Sequence, residues 1–279
     1  MAVARCAGAP REKLSHSHPK RHKFGFRPTP ENGPPQREFC VRAVRQALSL
    51  AGMPHLGFEL WWKHRRHFEP ITHWNTANKA FFIHIPKTAG TSIYDALGMI
   101  TTPYTHAPAR ILASLYPAEY AQFFTFSFVR NPWDRFVSTY EFLRQGTEWE
   151  EQKAWARAHI GTLSMDRFVQ RLGRDRMFRA AIMSYEFFFP QSYFLTDRKG
   201  KTMVERIYRF EDIGTGFVEL ADRFGVEARL GHKRRTQDRK PFSAYYDAQS
   251  WAIIGKLYVE DIHAFGYGVT PTAAVDAKA

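Results

Sequence analysis

The stretch Phe81–Leu97, with the sequence FFIHIPKTAGTSIYDAL, decides the fold of this chain. Its first part is short, apolar and rich in Phe and Ile, and it ends at Pro86, which is typical of a buried strand. A loop with the sequence KTAGTS follows, and a segment of helical character comes after it. The stretch therefore predicts a strand, a loop and a helix in succession, an arrangement that holds a phosphate-like anion at the start of the helix.

The loop supplies the groups that such an anion needs. Gly90 allows the backbone to approach the anion closely, the first helical amides point at it, and Lys87 adds a full positive charge. The Walker A pattern of ordinary ATPases is absent, because the lysine precedes the glycine by three residues. We therefore predict anion binding by the loop residues Lys87, Thr88, Ala89, Gly90, Thr91 and Ser92.

A second block, FSFVRNPWDRFVSTY at Phe126–Tyr140, has a similar organisation. The continuous apolar run Phe123–Val129 predicts another buried strand, and Asn131 is well suited to cap the helix that follows. Arg130 stands where this strand ends. It has two interpretations at this point: a ligand for a phosphate group, or the salt-bridge partner of Asp134 at the start of a helix.

The order of the predicted elements indicates the fold class. Met203–Phe210 alternates enough for a third strand, and buried strands that alternate with helices imply an α/β fold with a mostly parallel sheet. Ligands bind beyond the carboxyl ends of such strands, where Lys87 and Arg130 lie. The two strand ends are ~5 Å apart if the strands are neighbours and ~10 Å apart if one intervenes. Helical patterns cover Lys153–Leu172, Met177–Phe189 and Phe217–Phe224, and Asp247 is expected to cap one long final helix.

Both blocks resemble motifs of one enzyme family. HIPKTAGTS resembles the 5′-phosphosulfate loop of carbohydrate sulfotransferases that use 3′-phosphoadenosine 5′-phosphosulfate (PAPS). The second block is similar to their 3′-phosphate motif, an Arg with a Ser eight residues later, here Arg130 and Ser138. Weaker similarities at QSYFL, RFEDI and YYD…DIHAFGY extend the resemblance over roughly residues 78–268. It implies a P-loop-NTPase-like three-layer fold and sulfuryl transfer from PAPS to a carbohydrate hydroxyl.

The resemblance draws attention to further polar residues. His106 stands between the two blocks, where related enzymes often carry a histidine that serves in some as general base, and an imidazole pKa of ~6.5 suits that role. A surface or helix-capping histidine is the alternative. His84 lies inside the first strand and is expected to be structural. The basic loop 232–240 is similar to a region that closes over the nucleotide, so Arg235 joins the predicted ligands, although Arg234 stands where the family tends to have Asn.

The predicted reaction needs no metal. Lys87 is expected to bind the nucleotide and to stabilise the leaving oxygen, and no His or Cys cluster has the spacing of metal ligands. Two alternatives stay open. A nucleotide kinase would want a carboxylate near the phosphates to hold magnesium, for which Asp134 is the candidate. A non-catalytic polyanion-binding protein would use only the basic surface.

Composition narrows the class of protein. The 279 residues include 40 Lys and Arg against 27 Asp and Glu, and the formal charge of +13 favours anionic partners. Nucleic acid is not expected, because no nucleic-acid fold motif is present. The two cysteines do not suggest a disulfide, and no stretch approaches the ~18–20 apolar residues of a membrane span. With the resemblance, this predicts a bacterial, cytoplasmic enzyme without an anchor, for which peripheral membrane contact stays open.

The sequence also predicts how the chain is divided. Residues 1–36 are rich in Pro, Gly, Lys, Arg and His and are expected to be a basic disordered tail. Residues 37–77 are expected to form a helical and loop extension, 78–268 the sulfotransferase domain, and 269–279 a tail of small residues. The sequence indicates neither the oligomeric state nor which carbohydrate, at which position, accepts the sulfuryl group.

Overall fold

The fold is seen in a computed structural model, which describes residue 48 and residues 53–64, 71–99, 106–147, 149–231 and 240–268. The predicted tails lie outside these residues, and the division between residues 77 and 78 stays a prediction. No helix within the described ranges is long and apolar enough to cross a membrane.

A three-stranded parallel sheet forms the centre of the molecule, in the order β1-β2-β3. Its strands are β1 (Ala80–Phe82), β2 (Phe124–Val129) and β3 (Arg206–Arg209). All three were predicted, although β1 is shorter than its apolar run. Ile83 and Ile85 beyond it are fully buried but lie past the paired register, which ends where Phe82 faces Phe126. β1 and β2 are direct neighbours, so the closer of the two predicted spacings applies.

Thirteen helices surround the sheet in the described residues. Their bounds along the chain are α1 Pro54–His64, α2 His73–Asn78, α3 Gly90–Ala96, α4 Ala109–Leu115, α5 Pro117–Gln122, α6 Pro132–Gln145, α7 Glu150–His159, α8 Met165–Arg174, α9 Arg176–Met183, α10 Gln191–Leu195, α11 Ile213–Phe224, α12 Ala248–Leu257 and α13 Val259–Phe265. Short 3₁₀ turns lie at Glu186–Phe188, Phe210–Asp212 and Phe242–Tyr245.

The two faces of the sheet are buried in different clusters. Successive side chains of a strand point to opposite faces. Phe82 and Phe126 therefore pack with residues of α3 and α11, while Phe81 and Val129 pack with residues of α4 and α10. This gives a layer of helices on each side of the sheet. The predicted α/β, P-loop-like three-layer fold is confirmed.

A third cluster lies among the helices after β2. α6, α8, α9 and α12 contribute side chains to this cluster, in which the ring of Trp133 stacks on Trp251 at 4.4 Å between centroids. Asp247 caps α12 through a capping box, as its position predicted. The single long helix expected after it is wrong, because the chain turns at Tyr258 before α13 begins. The buried Tyr258 hydroxyl donates there to the Phe188 carbonyl at 2.8 Å.

α1 is fastened to the domain although it precedes the first strand. Phe58 belongs to the same cluster as Phe81, and Glu59 forms a largely buried ion pair with Arg110, 2.6 Å between Oε1 and Nε. A buried charge is stable only when it is paired. Part of the predicted extension therefore packs on the domain core.

Candidate active site

The loop after β1 has an unusual backbone. Lys87 and Ala89 adopt φ angles of 70° and 66°, in the left-handed region that is unfavourable for L-residues other than glycine. Where left-handed residues alternate with residues of other conformations, as around Thr88, successive backbone amides point into a concavity that suits an anion. α3 begins at Gly90. The amides of Ser92 and Ile93 donate to the Ala89 carbonyl at 2.9 and 3.2 Å, whereas those of Gly90 and Thr91 precede the first acceptor that the helix offers. This geometry suits the predicted anion site.

The three hydroxyl groups of the loop lie in different environments. The Thr88 hydroxyl is fully buried and donates to the Ile85 carbonyl at 2.9 Å, so this hydrogen bond stabilises the loop. Ser92 is buried in the first turn of α3, and Thr91 is exposed. Contacts of Thr88, Thr91 and Ser92 with a nucleotide stay predictions, as does the contact with the amide of Ala89.

His84 explains why residue 90 is a glycine. A Cβ atom built on Gly90 would lie 1.8 Å from Nε2 of His84, far inside contact distance. The His84 ring is buried against the start of α3, and burial lowers its pKa well below the ordinary value, with His106 and Lys87 adding to the effect. His84 is therefore neutral. Gly90 was predicted for its approach to an anion, and the structure adds the approach to a histidine ring.

His106 lies beside His84, as the second ring of a pair. Their centroids are 4.4 Å apart, and Nδ1 of His106 lies 3.1 Å from the His84 carbonyl oxygen. Because a carbonyl only accepts, Nδ1 carries the proton and Nε2 of the neutral ring is left as the proton acceptor. Burial lowers the pKa of His106, while the hydrogen bond to His84 and the charge of Glu186 oppose this shift. Lys87 lowers the pKa of His106 further, as it does the pKa of His84.

The ammonium group of Lys87 rests on an aromatic ring. Its Nζ atom lies 4.0 Å from the centroid of Phe142 on α6, within the range of a cation–π contact. Phe142 in turn stacks on Phe187 at 5.8 Å, and Phe187 meets His106 edge-on at 5.7 Å. Phe142 and Phe187 thus form a wall beside Lys87 and His106.

Arg130 lies at the end of β2 and is also buried. Its Nε donates to Asp134 at 2.6 Å, and its Nη1 donates to the Lys87 carbonyl at 3.2 Å. The guanidinium also covers the ring of Phe210, 4.0 Å from Cζ to the centroid. The salt-bridge interpretation from the sequence is therefore present in the structure. Within the described residues Nη2 of Arg130 has no hydrogen-bond partner, so the salt bridge leaves one face of the fork available.

The helix after Arg130 begins as predicted. The Asn131 side chain accepts hydrogen bonds from the amides of Trp133 and Asp134, which caps α6. Ser138 lies on the buried side of α6, and its hydroxyl has no hydrogen-bond partner in the described part of the chain. Its predicted contact with a 3′-phosphate stays a prediction.

Arg135, which was expected to be structural, is fully buried and donates to the carbonyls of Phe187 and Phe189.

Sequence reasoning missed several residues of this site. Phe142 and Phe187 were not singled out, and Phe210 was noted only within the RFEDI similarity and at the end of the third predicted strand, because nothing in the sequence separates a ring that faces a cation from one in the core. Gln191 was noted only within the QSYFL similarity, yet its side chain contacts Arg130, 2.8 Å between Oε1 and the backbone nitrogen. The remaining predicted ligand, Arg235, lies outside the described residues. Among those residues no three His, Cys, Asp or Glu side chains are grouped to hold a metal ion.

Comparison with protein families gives one match. The profile described as "Sulfotransferase family" matches residues 72–268. This range includes the sheet, the Lys87 loop, all helices from α2 onward and the turn between β2 and α6 that contains Arg130, called the Arg130 corner below. Comparisons with curated proteins and with solved structures found no match.

Proposed function

The chain belongs to the sulfotransferase family, and from this premise we propose that it transfers a sulfuryl group from PAPS to a hydroxyl group of a carbohydrate acceptor. The observation that carries the proposal is the meeting of two cationic positions at neighbouring strand ends. Nη1 of Arg130 donates to the Lys87 carbonyl at 3.2 Å, so both residues border one site. PAPS carries a phosphate at the 3′ position and a phosphosulfate at the 5′ position, and two adjoining cations suit such a ligand.

The 5′ end of the nucleotide is assigned to the Lys87 loop. In an in-line transfer the acceptor oxygen attacks sulfur while the bridging oxygen of the 5′-phosphate leaves with negative charge. The first amides of α3 and the Lys87 ammonium are the donors proposed to stabilise that oxygen. Each such donor typically contributes about 3 kcal/mol to the transition state. Lys87 is thus proposed both to bind the nucleotide and to aid catalysis.

The general base is proposed to be His106. A neutral imidazole is needed, and burial favours the neutral form by lowering the pKa of His106. The hydrogen bond to the His84 carbonyl directs the lone pair onto Nε2, which would take the proton of the acceptor hydroxyl as the sulfur–oxygen bond forms. The Lys87 ammonium contacts Phe142 and the His106 ring contacts Phe187, and because these two rings stack on each other, they support a common site for base and leaving group.

The 3′-phosphate is assigned to Arg130 and Ser138. The guanidinium is a planar fork that matches phosphate oxygens, and Nη2 is the part of it that remains for a ligand. The hydroxyl of Ser138 would add a neutral donor from α6. The basic loop with Arg235 is proposed to cover the nucleotide from the other side.

A carbohydrate acceptor is supported by the aromatic wall. From Phe142 and Phe187 the row of near-parallel rings continues to Tyr185 and Trp155, with centroids 5.3 Å and 4.2 Å apart. Apolar and aromatic surfaces with a few polar groups are typical of ligand sites, and the C–H face of a sugar packs on aromatic rings. Tyr185 and Trp155 are partly exposed and are proposed to line the path of the acceptor.

Binding and transfer assays test this proposal. Calorimetry with adenosine 3′,5′-bisphosphate should show binding without added metal, and labelled PAPS should transfer sulfate to members of a panel of mono- and oligosaccharides in the presence of EDTA. The result that contradicts the proposal is binding and turnover of ATP that EDTA abolishes and magnesium restores, which would indicate a kinase. Equal binding of unrelated polyanions without turnover would indicate a non-catalytic protein.

A further inference from the structure

We propose that Gln191 is a positioning residue for the nucleotide, and that its side chain sets the selectivity for a 3′-phosphate by fixing the backbone of Arg130. The inference rests on the proposed function, because it gives Arg130 a phosphate to bind. It adds a residue that does not touch the nucleotide. It also assigns a role to a segment that the sequence marked only by a weak similarity.

The carboxamide of Gln191 forms two hydrogen bonds with one residue. Oε1 accepts from the Arg130 backbone nitrogen at 2.8 Å, and Nε2 donates to the Arg130 carbonyl at 2.8 Å. Gln191 is fully buried. A carboxamide presents one donor and one acceptor side by side, so it satisfies the backbone of a single residue in the way that a neighbouring strand would.

This contact lies where the sheet stops. The register of β2 with β3 ends at the pair Val129 and Arg209, so Arg130 is the first residue of its strand without a pairing partner. Buried backbone groups without partners are costly, and they are nearly always satisfied. Gln191 therefore replaces the missing strand and extends the ordered backbone by one residue, to the residue that is proposed to meet the phosphate.

Gln191 is itself held from behind. Its backbone nitrogen donates to Asp261 Oδ2 at 2.7 Å, and the nitrogen of Ser192 donates to Oδ1 at 2.8 Å. Asp261 is fully buried on α13, where burial raises its pKa. A chain of hydrogen bonds thus runs from α13 through the start of α10 to Arg130. The glutamine cannot shift without breaking these contacts, which is what a positioning role requires.

The guanidinium depends on this fixed backbone. Asp134 holds Nε of Arg130 at 2.6 Å and the Lys87 carbonyl accepts from Nη1 at 3.2 Å, so the fork is held at two points when its Cα is in place. Val129 before it and Asn131 after it are held by β3 and by Glu211, so Gln191 is the contact that fixes the peptide groups of Arg130 itself. Without Gln191 we expect these peptide groups to shift, and the guanidinium to lose its direction toward the 3′-phosphate. Binding groups that are displaced by about 1 Å lose much of their effect.

The experiment compares Gln191→Met with a matched control, Asn75→Leu. Asn75 is another buried carboxamide that serves a strand, since its Nδ2 donates to the Ala80 carbonyl at 2.9 Å, at the end of β1 away from the loop. Calorimetry with adenosine 3′,5′-bisphosphate and with adenosine 5′-phosphate gives the ratio of the two affinities. We expect Gln191→Met to lower this ratio about tenfold. Asn75→Leu should lower the melting temperature and leave the ratio unchanged.

Further variants make each outcome decisive. Gln191→Leu removes both hydrogen bonds with a side chain of similar volume, and it serves if Gln191→Met does not fold; the ratio should again fall. A ratio that survives in the folded Gln191 variants but is lost in Arg130→Ala would overturn the positioning role and leave the proposed function intact. A wild-type protein that binds both nucleotides equally would instead contradict the proposed function.

Discussion

The Lys87 loop and the Arg130 corner lie at adjacent strand ends and hold their cations in different ways. The loop is shaped by its backbone, with left-handed residues at Lys87 and Ala89, and its ammonium lies 4.0 Å from the centroid of the Phe142 ring. At the corner, side chains fix both the backbone and the guanidinium, through Gln191 and Asp134. One cation is carried by a loop whose shape is set in the backbone, and the other has both its backbone and two nitrogens of its guanidinium held by hydrogen bonds.

This difference suggests a division of labour. A lysine has a flexible stem and a compact charge, so it can follow an oxygen whose charge changes during the reaction. An arginine that is fixed at several atoms is better suited to select a group that does not change. We therefore expect changes at the loop to act mainly on turnover, and changes at the corner to act mainly on nucleotide affinity.

The largest effect is expected from Lys87→Ala. The variant loses the charge that faces the leaving oxygen, and cations in such positions are worth about 10³–10⁵ in rate. Turnover of PAPS should nearly vanish while circular dichroism and the melting temperature stay close to wild type.

Lys79→Ala is the matched control for this change. Lys79 is also a lysine in the left-handed region, with a φ of 47°, but it is exposed at the end of α2. If Lys87→Ala turned over PAPS at the wild-type rate, or if Lys79→Ala lost as much activity as Lys87→Ala, the assignment of the loop to the reaction would be wrong.

The next effect is expected from His106→Ala, which removes the proposed base. Loss of a general base typically lowers kcat about 10²–10⁴-fold, and His106→Asn should fare no better because an amide cannot take the proton. Calorimetry should show nearly unchanged affinity for adenosine 3′,5′-bisphosphate. The exposed His263 on α13 provides the control, since His263→Ala should keep the wild-type kcat.

The pH dependence adds a separate check on His106. Burial lowers its pKa, so the neutral base persists below the ordinary value of ~6.5, and kcat should fall only when the pH drops below that value. The unfolded chain takes up protons on His84 and His106 at a higher pH than the folded chain does, so acid also destabilises the fold. If kcat already falls at or above pH 6.5, and if His106→Ala changes this fall, then His106 does not have the lowered pKa that we infer from its burial.

Sequence and structure agree most closely where backbone chemistry fixes the outcome. The strand before the loop, the cap at Asn131 and the cap at Asp247 follow from local patterns, because each depends on residues within four positions. The parallel sheet also follows, since buried apolar strands alternate with helices. The family was recognised from the two blocks that contain Lys87 and Arg130, and the family match confirms it.

What the sequence could not predict are contacts between distant segments. Gln191 reaches Arg130 across 61 positions of the chain, and the His106 ring reaches the carbonyl of His84 across 22. The ring of Phe142 lies beside the apolar stripe of α6, and its position there gives no indication that it contacts Lys87. These partners are set by how the helices pack, and packing is specified by the whole core rather than by a local pattern.

A smaller effect, confined to affinity, is expected from Arg130→Ala. Adenosine 3′,5′-bisphosphate should bind about 30–100-fold more weakly, the equivalent of 2–3 kcal/mol for a charged hydrogen bond, while adenosine 5′-phosphate is little affected. Arg223→Ala is the control, because Arg223 also covers a phenylalanine, 3.7 Å from Cζ to the centroid of Phe124, at the other end of β2. If both nucleotides lost affinity equally, Arg130 would not be the residue that contacts the 3′-phosphate.

The smallest effect is expected from Gly90→Ala, which tests whether the loop is shaped by packing as well as by backbone. The new methyl group meets the His84 ring, and overpacking of this kind costs typically 1–3 kcal/mol, so the melting temperature should fall by several degrees. Gly214→Ala in the first turn of α11 is the control, since a Cβ there meets nothing within 4 Å. Removing the ring in His84→Ala leaves room for the methyl group, so Gly90→Ala should be much less harmful in that background than in the wild type. Independent, additive losses would mean that His84 does not determine the glycine, and that the loop owes its shape to the strained backbone at Lys87 and Ala89 alone.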